Sequence, residues 1–156
     1  MAQAKWQPLM SKAEAKDYTR GSYYEGQDLY HGTNAESAAG IVSQGARLAS
    51  DSINSYGDGF YLAFSRDIAL QYARLAVNST ILSARVMVKN PRKFKDSIDF
   101  SEFLDLYDIP ADDFQSQAIT KILIQQGFDS VEVGGNNILV IIFDKRQIVI
   151  FQREDL

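Results

Sequence analysis

The chain has 156 residues, 46% of them hydrophobic and 23% charged, the composition of one ordinary globular domain rather than of a disordered or fibrous protein. A net charge of −4 argues against a broad nucleic-acid footprint. The absence of cysteine excludes disulfides and thiol chemistry, and with a single histidine it also argues against a zinc centre.

The opening "MAQAKWQPLMSKAEAKDYTR" carries no apolar signal core, and no apolar run is long enough to span a membrane. A cytoplasmic protein, or one delivered into a target cell, is therefore expected. Residues 11–19, "SKAEAKDYT", predict a short helix ended by Gly21. "QDLYHG" reads as a strand ending at His31 and Gly32. Asn34 then caps a helix that places Ile41 and Val42 on one face and stops at Gly45. Residues 46–59, "ARLASDSINSYGDG", form a long loop, and loops of that length in a compact domain usually carry function.

"FYLAF" follows as a buried strand, and Ser65 with Asp67 opens a helix over "SRDIALQYARLAV", with Ile68, Tyr72 and Leu75 at helical spacing. "STILSARVMV" alternates as a strand and "KNPRKFK" punctuates it. Two helical patterns, "DFSEFLDLY" and "ADDFQSQAITKILIQQ", are separated by Pro110 and closed by Gly127. Three strands end the chain, "FDSVEV", "NILVIIF" and "QIVIF", with "VGGNN" as the hairpin turn between the first two. This order predicts an α+β fold, helices packed on antiparallel sheet. Arg85, Lys89, Arg92, Lys93 and Lys95 precede a run of acidic residues from Asp96 to Asp113. That segregation fits a solvated surface with local pairing, or a docking surface.

Chemistry concentrates in three places. His31 lies at a strand end beside Gly32, in "YHGT". "GDGFYLAF" brings glycines up to Tyr61, and "SRDIALQYA" carries Tyr72 on the next helix, 11 residues after Tyr61. A strand and the helix packed over it can bring two rings face to face. Such a slot favours a flat, electron-poor or cationic ring, and glycine permits close backbone approach beside it. The plainer alternative makes the histidine and both tyrosines structural.

Together, "YHGT", "GDGFYLA" and "AxxYA" resemble the ADP-ribosyltransferases of the His-Tyr-Glu type, the class shared by diphtheria-like toxins and poly(ADP-ribose) polymerases. The late "FDSVEVGGNNILVIIFDKRQI" is similar to the closing hairpin of many bacterial domains of that class. The resemblance runs from about residue 28 to 150. It implies a split antiparallel sheet with flanking helices, one domain over 1–156 with a helical extension at 1–26 and an NAD-binding core at 27–152, and NAD⁺ as substrate with no metal.

By the same resemblance, His31 would bond a ribose hydroxyl and the Gly32 backbone the carboxamide, with Thr33 beside them. Tyr61 and Tyr72 would stack on the nicotinamide, Ala69 would leave room for it, and 46–59 would cover it. The family's Glu is missing. Counting back from Asp144 lands on Leu139. Asn137 takes the position if the strand is two residues longer, beside Asn136, and Glu132 stands across the hairpin.

The implied activity is mono-ADP-ribosylation of a macromolecule, protein more readily than nucleic acid, by a bacterial or phage toxin or effector with an antitoxin or immunity partner. Loss of the Glu argues against polymer synthesis. It leaves open a transferase tolerant at that position, an Asn replacing the Glu, a substituting Glu132, or a catalytically dead NAD- or ADP-ribose-binding module. An NAD glycohydrolase is a further alternative. The relatives that remove an RNA 2′-phosphate lack support, because no basic residues flank "YHGT".

Overall fold

The computed structural model describes residues 4–48, 56–74, 76–135 and 138–156. α1 (Lys12–Tyr18) opens on a capping box, in which Ser11 Oγ accepts from the Glu14 amide and the Glu14 carboxylate accepts from the Ser11 amide. β1 (Leu29–Asn34) leads into α2 (Ala35–Gln44). Asn34 Oδ1 accepts from the Ser37 amide at 2.7 Å, and Gly45, at φ 95°, ends the helix. Next come β2 (Phe60–Ala63), α3 (Arg66–Ala73) capped by Ser65, β3 (Ser79–Val86) and β4 (Pro91–Phe94). α4 (Ser97–Leu106), α5 (Gln115–Gln125), β5 (Ser130–Val133), β6 (Leu139–Ile142) and β7 (Ile148–Asp155) complete the chain.

The architecture is α+β, with one seven-stranded sheet in the order β4-β5-β6-β2-β1-β3-β7 and helices packed on it. β1 runs on to Asn34 instead of ending at Gly32, α5 starts at Gln115 rather than Ala111, and three further elements differ from expectation. α3 stops at Ala73, where Ser79 Oγ comes within 2.7 Å of the Ala73 carbonyl and 3.0 Å of the Ala76 carbonyl, satisfying the helix end early. "PRKF", read as punctuation, is edge strand β4, parallel to β5. Pro91 is its first residue, a place where a missing N–H breaks no ladder. β7 continues past Phe151 to Asp155, alongside β3 back to Thr80.

Alternation divides the core between the sheet's two faces. On β6, Val140 and Ile142 join Leu29, Phe60, Leu62, Leu82 and Ile150 beneath α2. Leu139 and Ile141 join Phe94, Phe100, Phe103, Ile119 and Leu123 beneath α4 and α5. The free edge of β7 is covered by the N-terminal segment. Ile150 donates to the Pro8 carbonyl and accepts from the Met10 amide, both at 2.9 Å, and Trp6 Nε1 donates to the Ile148 carbonyl at 3.1 Å. Two of the five basic residues pair with acids outside 96–113: Arg85 with Asp28 at 2.6 Å and Lys93 with Glu132 at 3.7 Å.

Candidate active site

β1 pairs with β3 along its whole length, from Leu29 to Asn34, but with β2 only through Tyr30 opposite Ala63. Beyond Tyr30 the two strands part, and the sheet forks. His31 stands in that fork. Its Nδ1 lies 2.8 Å from the Tyr61 main-chain carbonyl and its ring packs on Phe60, centroids 4.2 Å apart. A carbonyl can only accept, so Nδ1 carries the proton and Nε2 is left as a bare acceptor. Burial pulls the imidazole below its ordinary 6.5, against the opposing pull of the Tyr61 carbonyl. The ring is therefore neutral at pH 7, fixed in one tautomer, and suited to receive a hydroxyl.

A cavity of about 180 Å³ opens at the fork, and His31, Gly32, Tyr61, Ala69, Tyr72 and Leu139 all line it. α3 lies directly on β1 at this point. A Cβ on Gly32 would sit 1.9 Å from the Ala69 carbonyl oxygen and 2.9 Å from the Ala73 nitrogen, so only glycine lets the helix come this close. That contact brings buried Ala69 to the back wall, while Tyr72, 51% exposed, stands at the mouth. Tyr61 is held through its hydroxyl, which donates to the Gly57 carbonyl at 2.7 Å and accepts from the Tyr56 amide at 2.9 Å. Burial raises its pKa well above the ordinary tyrosine value, so it acts as a neutral ring and a fixed bridge.

Of the alternatives for the missing Glu, Leu139 lines the cavity, 8% exposed, opposite Ala63 of β2. Glu132 pairs with Val140 and so faces the other side of the sheet. There it accepts from the Tyr24 hydroxyl at 2.9 Å and pairs with Lys93. Asn136 and Asn137 lie outside the described residues.

Thr33 borders a second, open cleft of about 910 Å³ that shares His31 and Tyr61 with the first. One face of α2 forms its wall through Glu36, Ser37, Gly40 and Gln44, and Arg47 and Lys145 stand at the end beyond that helix. Residues 46–59 border both spaces at their described ends, through Ala46 and Arg47 on the cleft and Tyr56 on the cavity, while 49–55 lie outside the described residues. Sequence reasoning missed Glu36 and Lys145 as lining residues. The i, i+4, i+8 spacing of Glu36, Gly40 and Gln44 marks one helix face, but which surface that face borders depends on where β1 delivers the helix.

The arrangement suits an extended polar ligand with a flat ring at one end, held between aromatic walls, and a hydroxyl donor at His31. The fold has a solved counterpart. A chain in the crystal structure of the M. tuberculosis MbcT–MbcA toxin–antitoxin complex superposes with a TM-score of 0.51 over 83% of this chain and 84% of that one, at 14% identity. At that identity the likeness speaks for the fold alone. No protein-family model matches the sequence, and neither does any curated protein. Among the described residues, no helix is long and apolar enough to cross a membrane, and no cluster of three or more His, Asp or Glu could hold a metal ion.

Proposed function

We propose that this protein cleaves the nicotinamide–ribose bond of NAD⁺ and transfers the ADP-ribosyl group to a macromolecular acceptor as a mono-ADP-ribosyltransferase. The observation that carries the reading is the neutral His31, its Nε2 free to accept, at the fork where a cavity walled by Tyr61 and Tyr72 opens. Nicotinamide enters the cavity. The two rings hold a flat pyridinium, with the π-faces favouring its positive charge. The β2-side edge of β1 at Gly32 pairs with no strand among the described residues and is available to the carboxamide. His31 Nε2 receives a hydroxyl of the adjoining ribose, which fixes the sugar as the bond breaks. The glycosidic electron pair leaves with nicotinamide, now neutral, and the sugar becomes an oxocarbenium ion that the acceptor oxygen captures as it loses its proton.

Residues 27–152 constitute the NAD-binding core in this reading, with 1–26 an N-terminal extension. A toxin or effector role is favoured by the fold shared with a component of a toxin–antitoxin complex, and an antitoxin or immunity protein is the matching partner. Hydrolysis is the second reading. It is favoured by the open cleft of about 910 Å³ beside the cavity, through which water reaches the ribose as readily as a macromolecule does.

The two are separated by incubating purified protein with NAD⁺ labelled in its adenylate half, with and without cell lysate. Transfer places label on a macromolecule and needs the lysate. Free ADP-ribose formed at the same rate without lysate establishes hydrolysis. NAD⁺ bound but left intact under both conditions marks a binding module.

A further inference from the structure

Among the described residues that line the cavity and the cleft, one carboxylate occurs, that of Glu36. It lies on the first turn of α2, three residues beyond Thr33, on the wall of the cleft that shares His31 and Tyr61 with the cavity. It is exposed and enters no ion pair with a described residue. The alternatives on the closing hairpin offer no charge there, since Leu139 is apolar and Glu132 faces the opposite side of the sheet, engaged by Tyr24 and Lys93.

The cleft is also polarised along its length. From Glu36 to Gln44 the wall runs along α2 for about 12 Å, at 1.5 Å of rise per residue. Arg47 and Lys145 stand beyond it, neither in an ion pair with a described residue. Lys145 is laid along this end of the cleft. Its Cδ is 3.4 Å from where a Cβ on Gly45 would be, and its ammonium lies 6.0 Å from the Trp6 ring centroid. A dinucleotide whose nicotinamide fills the cavity has the same polarity over its nicotinamide half, a cationic ring and ribose followed by two phosphates.

Resting on the NAD⁺ reading above, we propose that Glu36 is the catalytic carboxylate of this protein, supplied by α2 instead of the closing hairpin, and that Arg47 and Lys145 bind the diphosphate. As the C1′–N bond breaks, its electron pair goes to the nicotinamide nitrogen and positive charge develops on the ribose. The Glu36 carboxylate stabilises that charge, then accepts the proton of the water or acceptor hydroxyl whose oxygen bonds to C1′. The plainer role of Glu36, complementing the α2 dipole from its first turn, predicts an effect on helix stability and none on turnover.

The test compares Glu36→Gln, Glu36→Asp and the double variant Arg47→Gln/Lys145→Gln with the parent. Nicotinamide release, ADP-ribose affinity by calorimetry and thermal unfolding are each measured. Glu36→Gln is expected to lower kcat about 10²-fold or more while ADP-ribose affinity changes little, with Glu36→Asp recovering part of the rate. The double variant is expected to raise KM for NAD⁺ and weaken ADP-ribose binding about tenfold or more. A parent that releases nicotinamide and a Glu36→Gln variant that does so within about threefold overturn the role of Glu36 and leave the NAD⁺ reading standing. Unchanged ADP-ribose affinity in the double variant removes the diphosphate assignment alone. A parent that neither binds NAD⁺ nor releases nicotinamide overturns both readings together.

Discussion

Replacing Gly32 with alanine tests whether the approach of α3 to β1 builds the cavity. The new Cβ would stand 1.9 Å from the Ala69 carbonyl oxygen, about 1.5 Å inside the 3.4 Å at which ordinary contact begins, and 2.9 Å from the Ala73 nitrogen. Both are main-chain atoms of a helix, so no side chain can swing aside, and the helix has to retreat as a body. Overpacking of this kind costs about 1–3 kcal/mol, which for a chain of this size lowers Tm by roughly 2–12 °C. α3 carries both Ala69 and Tyr72, so its retreat widens the slot by about an ångström, a displacement that can cost about 10²-fold in rate. Thermal unfolding and nicotinamide release measure the two consequences on one sample. A Gly32→Ala protein with Tm within about 1 °C of the parent and unchanged release would refute the argument.

Other outcomes follow from the same geometry. Tyr72→Ala removes a ring that is 51% exposed, so stability should change by no more than about 0.5–1 kcal/mol while NAD⁺ affinity, read by calorimetry, falls about tenfold; equal affinity would take Tyr72 out of the slot. Tyr61→Phe strands the Tyr56 amide and the Gly57 carbonyl at about 1–3 kcal/mol of stability in a denaturant titration, yet keeps the ring, so its affinity loss should be smaller than that of Tyr61→Ala. His31 is depressed below 6.5 by burial, so just below that pH the unfolded chain takes up a proton that the folded chain refuses. Stability should therefore fall as pH drops through this window, less steeply in His31→Gln. An imidazole titrating by NMR at or above 6.5 would contradict the buried, neutral ring.

Most of the element order was legible because local chemistry dictates it. Asn34, Gly45 and Ser65 mark helix ends by side-chain and glycine geometry, alternation marks β3, and short apolar runs about a hairpin turn mark β5 and β6. "PRKF" was not legible, because β4 is held by parallel pairing to a strand 39 residues away in register, Pro91 with Ser130, and leaves little local signal. The early end of α3 was hidden for a similar reason: the competing partner of the Ala73 carbonyl is a serine in the next strand.

In the site, His31, Gly32, Tyr61, Ala69 and Tyr72 could be named because the motifs that carry them resemble those of a known family, and they share one cavity. The fork that exposes His31, and the placement of Glu36, Arg47 and Lys145 along a common cleft, depend on where β1 parts from β2 and on how α2 and the Lys145–Gln147 turn meet. Neither follows from spacing along the chain.

The most direct measurement is nicotinamide release from NAD⁺ by the purified protein, alongside Tyr61→Ala and with NAD⁺ binding followed by calorimetry. The account predicts release by the parent that Tyr61→Ala abolishes while a cooperative unfolding transition persists. A folded parent that neither binds NAD⁺ nor releases nicotinamide would contradict it.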